Sequence, residues 1–390
     1  MAKLPGYIIL FFLSLFFIGG MFNSTFQYLG GFPLLFISIY FCFSRFKKVL
    51  TKRIVIYFSL LLIISLTFFL GFSKIINYHD FIKEAQKYWG SFSLFFTGYI
   101  LIRTKVISIK EIKMFFLTGI TLTSFYGIIK MSIDSIQNNK LERLTTPLGI
   151  SNNYASILII GVLILFYNLI NKKYLINKRS DYVAFTILSA SLLLTRSAGA
   201  IIGTAVAIFI YYFFRNRKLN LITGLTFVLI IFLLFSLSFS LFKKNILDHS
   251  NRQRIGLING YTILIKKNPI TGVGLNQTEY HYKSWKVPIP YQNQFGYVDK
   301  MDAHNFIIQW IAENGFPSFA LLLLFLIYYF SNNFRKYNHS YGLLLGFLAY
   351  LIHALFSNNF HIIRLMMYFW LLLGVFDGLQ YKTKRRSFEK

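Results

Sequence analysis

The stretch "DAHNFIIQWIAENGFPSF", beginning at Asp302, places one titratable imidazole in an apolar run. Helical spacing puts Asp302, Asn305, Gln309 and Glu313 on one polar stripe. His304 falls on the opposite face with Ile307, Ile308 and Ile311. Asp302 is positioned to cap this helix, with Asn305 in its first turn; Gly315 and Pro317 close it. The partial positive charge of a helix N-terminus opposes protonation of a nearby histidine. A neutral His304 there can take a proton from a hydroxyl near neutral pH. The competing reading is a packed histidine with a satisfied hydrogen bond.

Arginines form the second group. Arg252 and Arg254 begin a helical pattern, Arg196 sits in the break of "LLLTRSAGAIIG", and Arg364 precedes the last apolar run. Guanidinium groups grip diphosphate through a fork of donors and stay charged. Lone arginines at the ends of apolar runs also serve simply to contact lipid headgroups. Asn152 and Asn153, in "TPLGISNNYASILI", suit either sugar hydroxyls or a helix cap. His79, His249, His281 and His339 fall in loops. His353 and His361 flank "ALFSNNF", and nothing in that spacing demands a shared cavity.

These groups sit in a chain that is 55% hydrophobic and 19% aromatic, with mean hydropathy +0.54. Such a composition implies a polytopic membrane protein. The net charge of +28 invites comparison with nucleic-acid binders. The cations, however, cluster between apolar runs, as cytoplasmic loops do. The single cysteine, Cys42, excludes an internal disulfide or a cysteine-based metal site. There is no Walker loop, no HExxH and no Asp-x-Asp pair. Carboxylates on the expected outer face are few and scattered, so the sequence predicts no hard-metal cage.

With about 20 apolar residues needed per crossing, about twelve spans are expected. They lie near 7–22, 26–43, 54–73, 90–107, 112–131, 154–170, 182–195, 198–214, 221–242, 316–331, 341–357 and 363–379. Alternate loops are rich in Lys and Arg: "SRFKKVLTKR", "RTKVISIKEIK", "NKKYLINKRS", "RNRK", "FRK" and "KTKRRSFEK". The positive-inside rule then puts both termini in the cytoplasm and the 243–315 loop outside. Residues 1–390 read as one all-α integral membrane domain, with 243–315 a large helical periplasmic loop between spans 9 and 10. Within that loop Ile255, Ile258, Thr262 and Ile265 recur at helical spacing, until Pro269, Gly272 and Gly274 end the pattern. In "KIINYHDFIKEAQKYW", Ile75, Tyr78, Ile82, Ala85 and Trp89 share a side. Both patterns fit helices lying on the bilayer surface or packed against neighbouring spans.

Several stretches, in order, resemble the O-antigen ligase and polymerase family of envelope glycosyltransferases. "TPLGISNNYASILI" resembles that family's Asn-Asn segment opening a span, and "LLLTRSAGAIIG" its Ser-Arg-Gly-Ala turn. "RIGLINGYTILIKKNPITGVG" resembles its Arg-led helix ending in Asn-Pro-x-x-Gly-x-Gly. "AHNFIIQWIAENGFPSFALL" resembles its His-Asn helix, and "HALFSNNF" and "WLLLGV" also fit. The resemblance implies a bacterial inner-membrane enzyme that transfers a glycan from undecaprenyl diphosphate to a sugar hydroxyl at the periplasmic face. It implies no metal and no cofactor. The acceptor is lipid A-core for a ligase and a second lipid-linked glycan for a polymerase. His304 matches the family's base and Arg254 its diphosphate-engaging arginine. The other family arginine aligns with Ala198, and Arg196 lies two residues earlier. A flippase for lipid-linked glycans is the rival of another class; related halves and midplane breaks, its usual marks, are not seen.

Overall fold

A computed structural model describes residues 4–140, 142–146, 148–215, 249–284, 302–334 and 341–387. At 4–6, 214–215, 249–256, 282–284, 334 and 380–387 it describes backbone alone. The expected span near 221–242, residues 285–301 of the long loop and His339 lie outside the described residues.

The described chain is helical, with no strand and one isolated bridge between Thr146 and Gly149. α1 (Leu4–Ser14) continues through a π-helical turn, Leu15–Gly19, and is followed by α2 (Ser24–Ser44) and α3 (Lys52–Thr67). α3 runs on as a tighter turn, Phe68–Lys74, before α4 (Tyr78–Arg103) and α5 (Ile109–Gln137). Next come α6 (Ser151–Ile170), α7 (Lys178–Leu194), α8 (Ala198–Arg215), α9 (His249–Lys267) and α10 (Thr278–Ser284). α11 (Phe306–Phe334), α12 (Tyr341–Ala354) and α13 (Ile363–Ser387) complete it. Local sequence sets several starts. Asn23, Thr51, Asn77 and Asn177 accept from backbone amides of the turns they open, and Ser108 with Glu111 closes a reciprocal capping box.

Five helices among the described residues are long and apolar enough to cross a membrane: Ser24–Ser44, Lys52–Lys74, Ile109–Gln137, Ser151–Ile170 and Phe306–Asn333. Tyr7–Phe22, Ala198–Phe213 and Tyr341–Ala354 are shorter apolar helices. The expected spans near 90–107, 182–195 and 363–379 fall on α4, α7 and α13.

α13 packs along α4 through small residues. A Cβ on Gly374 would stand 1.8 Å from the Phe95 carbonyl oxygen, so the two backbones touch. α6 is buried between neighbours, with Ile157, Ile160, Leu163 and Ile164 fully enclosed. One charged pair joins a buried carboxylate to a half-buried guanidinium. Arg53 Nη2 lies 2.5 Å from Asp377 Oδ1, and Asp377 is 1% exposed. Tyr57 and Asn333 both donate to the same carboxylate oxygen, joining α3, α11 and α13.

Candidate functional site

The residues of the 302–305 turn are placed differently from the helical expectation. Asn305, not Asp302, caps α11: its Oδ1 accepts from the Ile308 amide at 3.1 Å, and its carbonyl accepts from the Gln309 amide at 3.1 Å. His304 precedes the cap with φ +49, a left-handed conformation uncommon outside glycine, and it therefore leaves the Ile307–Ile308–Ile311 face. The turn is held from both sides. The Ala303 amide donates to Gln309 Oε1 at 3.2 Å, and Gln309 Nε2 donates to Glu313 Oε1 at 3.0 Å. Asn305 Nδ2 donates to the Leu355 carbonyl at 3.0 Å, tying the turn to the end of α12. His304 itself is half-buried.

Ten residues after the cap, α11 breaks. Gly315 has φ 78 and ψ 169, and Pro317 opens the second segment, so the helix ends where its sequence says it should. The break frees carbonyls that "NPITGVG" satisfies. Val273 N–H donates to Ala312 O at 2.9 Å, and Gly274 N–H donates to Glu313 O at 2.8 Å. In return Phe316 N–H donates to Pro269 O at 2.8 Å. Gly272 must lack a side chain, because its Cβ would stand 2.2 Å from Glu313 O; its φ of +63 asks the same. This docking fixes the C-terminal end of α9 against α11. Tyr261 and Leu264 of α9 then pack with Ala303 and Ala312. The buried stripe of α9 is Leu257, Tyr261 and Leu264, one position off the predicted Ile258, Thr262 and Ile265. The offset arises because α9 packs against α11 on that side, and Thr262 is left exposed. The far side of the docking loop is anchored too. The Ile76 and Asn77 amides donate to Gln277 Oε1 at 3.0 and 2.8 Å.

A second group gathers at the same end of the bundle. Arg143 donates from Nε and Nη2 to the Thr195 carbonyl at 3.0 and 2.8 Å, and from Nη2 to the Arg196 carbonyl at 3.2 Å. The same Nη2 lies 3.3 Å from Asn152 Oδ1. Arg196 has φ +51 and an exposed side chain. Next to it, Ser197 Oγ lies 3.1 Å from His353 Nε2. The other ring nitrogen, Nδ1, lies 3.1 Å from Ser156 Oγ and 3.2 Å from Asn359 Nδ2. Asn359 donating to Nδ1 puts the ring proton on Nε2, which then donates to Ser197. His353 thus fastens α6, the Thr195–Ser197 turn and the 357–361 turn together, two residues from the carbonyl that holds Asn305.

A third group was not legible as a site in the sequence. His361 Nδ1 stands 3.7 Å from Glu84 Oε1, with side-chain exposures of 10% and 4%. Lys87 Nζ lies 2.5 Å from Glu84 Oε2. Burial alone would drive the His361 pKa down; Glu313 and Glu84 override it and raise it to about 9. Burial works against ionised Glu84 too, yet hydrogen bonding and charge from His361 and then Lys87 hold its pKa below the usual carboxylate value.

Of the nominated residues, His304, Asn305, Arg196 and Asn152 are brought to one end of the bundle by these bonds. Asn152 and Asn153 lie inside the first turn of α6, whose N-cap is Ile150, so neither caps it. Asn153 faces Gly149, its Nδ2 3.4 Å from where a Cβ there would be. Arg252 and Arg254 lie on the first turns of α9, and their side chains are outside the described residues. Arg364 opens α13 on the α2 side, where its carbonyl accepts from Gln27 Nε2 at 3.0 Å. Arg143, His353 and His361 are the additions. Nothing in their spacing announced them, because each depends on loops from distant parts of the chain meeting. Among the described residues, no three His, Cys, Asp or Glu side chains converge as metal ligands would.

No curated protein matches the chain. A family model does: residues 183–323, running from α7 through the docking loop and the His304 turn into the second segment of α11, match the model described as O-antigen ligase. All-α among its described residues, with five helices long and apolar enough to cross a membrane, the chain is thus similar to O-antigen ligases over residues 183–323.

Proposed function

We propose that the chain crosses the bacterial inner membrane about twelve times, with both termini cytoplasmic. In this reading it transfers a glycan from undecaprenyl diphosphate to a sugar hydroxyl of lipid A-core at the periplasmic face. The observation that carries the reading is the clamp Asn305–Leu355. It ties the His304 turn to Leu355, two residues after the His353 that bonds Ser197, the neighbour of Arg196; His304, Arg196 and Ser197 fall within the segment that matches O-antigen ligases, and His353 and Leu355 follow it.

The chemistry is an inverting displacement at the anomeric carbon. The His304 imidazole accepts the proton of the attacking hydroxyl as the new glycosidic bond forms. The bond to the diphosphate oxygen breaks, and its electron pair leaves with the diphosphate. Arg254, seven residues before Tyr261 and so at the same helical register, and Arg196 stabilise that charge. Arg252, Asn305, Asn152, Asn153 and Arg364 are assigned to substrate binding. Residues 243–315 serve as the catalytic loop of a single membrane domain. A base contributes on the order of 10²–10⁴-fold, and leaving-group stabilisation can exceed that.

The test is transfer by purified protein in liposomes, given a lipid-linked glycan and either acceptor. The expected result is covalent transfer to lipid A-core that is lost in His304→Ala and in Arg254→Ala. Undiminished transfer by His304→Ala removes the base. Ladders built on the lipid-linked glycan make the protein a polymerase, and movement of donor across the bilayer without a new bond makes it a flippase.

A further inference from the structure

α4 has two faces with different duties. Glu84, Ala85 and Tyr88 are buried, and Tyr88 meets Trp310 of α11 at a ring separation of 5.3 Å. The opposite face opens into a groove of about 480 Å³ between α2, α4 and α13. Its walls are apolar: Tyr28 and Phe32 from α2, Trp89 and Leu94 from α4, and Met367 from α13. One end is polar and cationic, formed by Lys83, Gln86 and Lys87.

Gly90 lies on this groove, in the interior of α4. Glycine inside a helix is unfavourable by about 1 kcal/mol relative to alanine, so it usually repays that with close packing. Here it does not: a Cβ on Gly90 would meet nothing within 4 Å. The missing side chain keeps space open rather than letting a neighbour approach. Lys83 and Lys87 add a second oddity. They lie at the end of α4 that the loop charges assign to the outside, where cations are scarce. A groove with an apolar trough and ammonium groups at its interfacial end complements an amphiphile with a phosphate head.

We propose that this groove binds an anionic glycerophospholipid of the outer leaflet. One acyl chain lies along Gly90 between Phe32, Leu94 and Met367, and the phosphate sits at Lys83 and Lys87. α4 stands between the groove and α11, which separates this lipid from a glycan donor reacting at His304. The phosphate shares Lys87 with Glu84, so headgroup binding reaches the Glu84–His361 pair through one side chain.

Trp89 supplies the readout: of the four tryptophans its ring lines the groove, Trp310 and Trp370 are buried, and Trp285, which lies outside the described residues, is replaced by phenylalanine throughout. The full-length protein is reconstituted in neutral phosphatidylcholine vesicles. Acyl-brominated phosphatidylglycerol or acyl-brominated phosphatidylcholine is then titrated in, and tryptophan quenching is followed. Trp89→Phe identifies the share of signal from the groove. The expected result is half-quenching at a clearly lower mole fraction of the anionic lipid. Lys83→Gln with Lys87→Gln should merge the two curves. Gly90→Leu, which fills open space in a helix and should leave thermal unfolding unchanged, should remove the low-mole-fraction quenching of Trp89 by the anionic lipid and leave only what the surrounding bilayer gives. Equal quenching by both lipids in the Trp285→Phe parent overturns the proposal, as does undiminished quenching in a folded Gly90→Leu. So does displacement of the brominated lipid by equimolar polyprenyl diphosphate, which would make the groove a donor site.

Discussion

Gly315 and Ile270 touch backbone to backbone: a Cβ on Gly315 would stand 2.0 Å from the Ile270 carbonyl oxygen. That contact welds the break in α11 to the loop that ends α9. Gly315→Ala and Gly272→Ala each add a clash and a left-handed alanine. Strain of this kind costs about 1–3 kcal/mol before the clash is counted. Both variants should lower the thermal unfolding temperature in detergent and reduce glycan transfer. Normal unfolding and transfer in Gly315→Ala would show that the two segments are not docked.

Asn305 does two jobs with one side chain, and they can be separated. Asn305→Ala loses the cap, about 1 kcal/mol, together with the Leu355 bond. Asn305→Asp keeps an oxygen for the Ile308 amide but can no longer donate to the Leu355 carbonyl. Stability of the aspartate variant should stay close to the parent. Its transfer rate should drop by about 10–100-fold, as expected when a reacting group shifts by an ångström. Parental rates in the aspartate variant would discount the Leu355 clamp.

Arg143 holds the Thr195–Arg196 turn through a planar fork that lysine cannot reproduce. Arg143→Lys should therefore behave like Arg143→Ala, both raising the Michaelis constant for donor as Arg196 loses its position. Full rescue by lysine would mean that charge alone matters there.

The Glu84–His361 pair makes stability depend on pH at both ends of the range, and His361 governs the alkaline end. His361 is raised from an unfolded value near 6.5 to about 9 when folded. Its contribution is complete below about pH 6.5 and is lost as pH climbs through about 9. Thermal unfolding temperature should fall across that interval in the parent, and the fall should flatten in His361→Gln. A parent curve that is level from pH 6.5 to 9 would contradict the raised value. Glu84, held low, acts at the acid end: its contribution is present at neutral pH and fades as pH falls through its folded value.

The sequence carried the helical framework because apolar runs, caps and basic loops are local signals. Asn-Pro-x-x-Gly-x-Gly and Glu-x-Gly were visible as motifs, and their meaning, a mutual dock, was not. Periodicity also misplaced His304. It continued the α11 pattern back to Asp302, whereas Asn305 competes for the first free amides and starts the helix three residues later. The same method missed the buried stripe of α9 by one position, since three isoleucine-type residues look more apolar than Tyr261. His353 and His361 were out of reach altogether. Their partners, Ser156, Ser197 and Glu84, come from segments separated from them by long stretches of chain, and only tertiary contact reveals them.

The Arg53–Asp377 pair bears on how the polypeptide is assembled during synthesis. Asp377 lies on α13, more than three hundred residues after its partner on α3, and an unmatched carboxylate in that segment is costly. That segment cannot settle on greasiness alone. It needs the guanidinium that the earlier α3 supplies, so the arrival of α13 acts as a latch on the helices inserted before it. A ribosome-stalled intermediate ending ahead of Asp377 should therefore stay open to protease, however many of its helices are already in the bilayer.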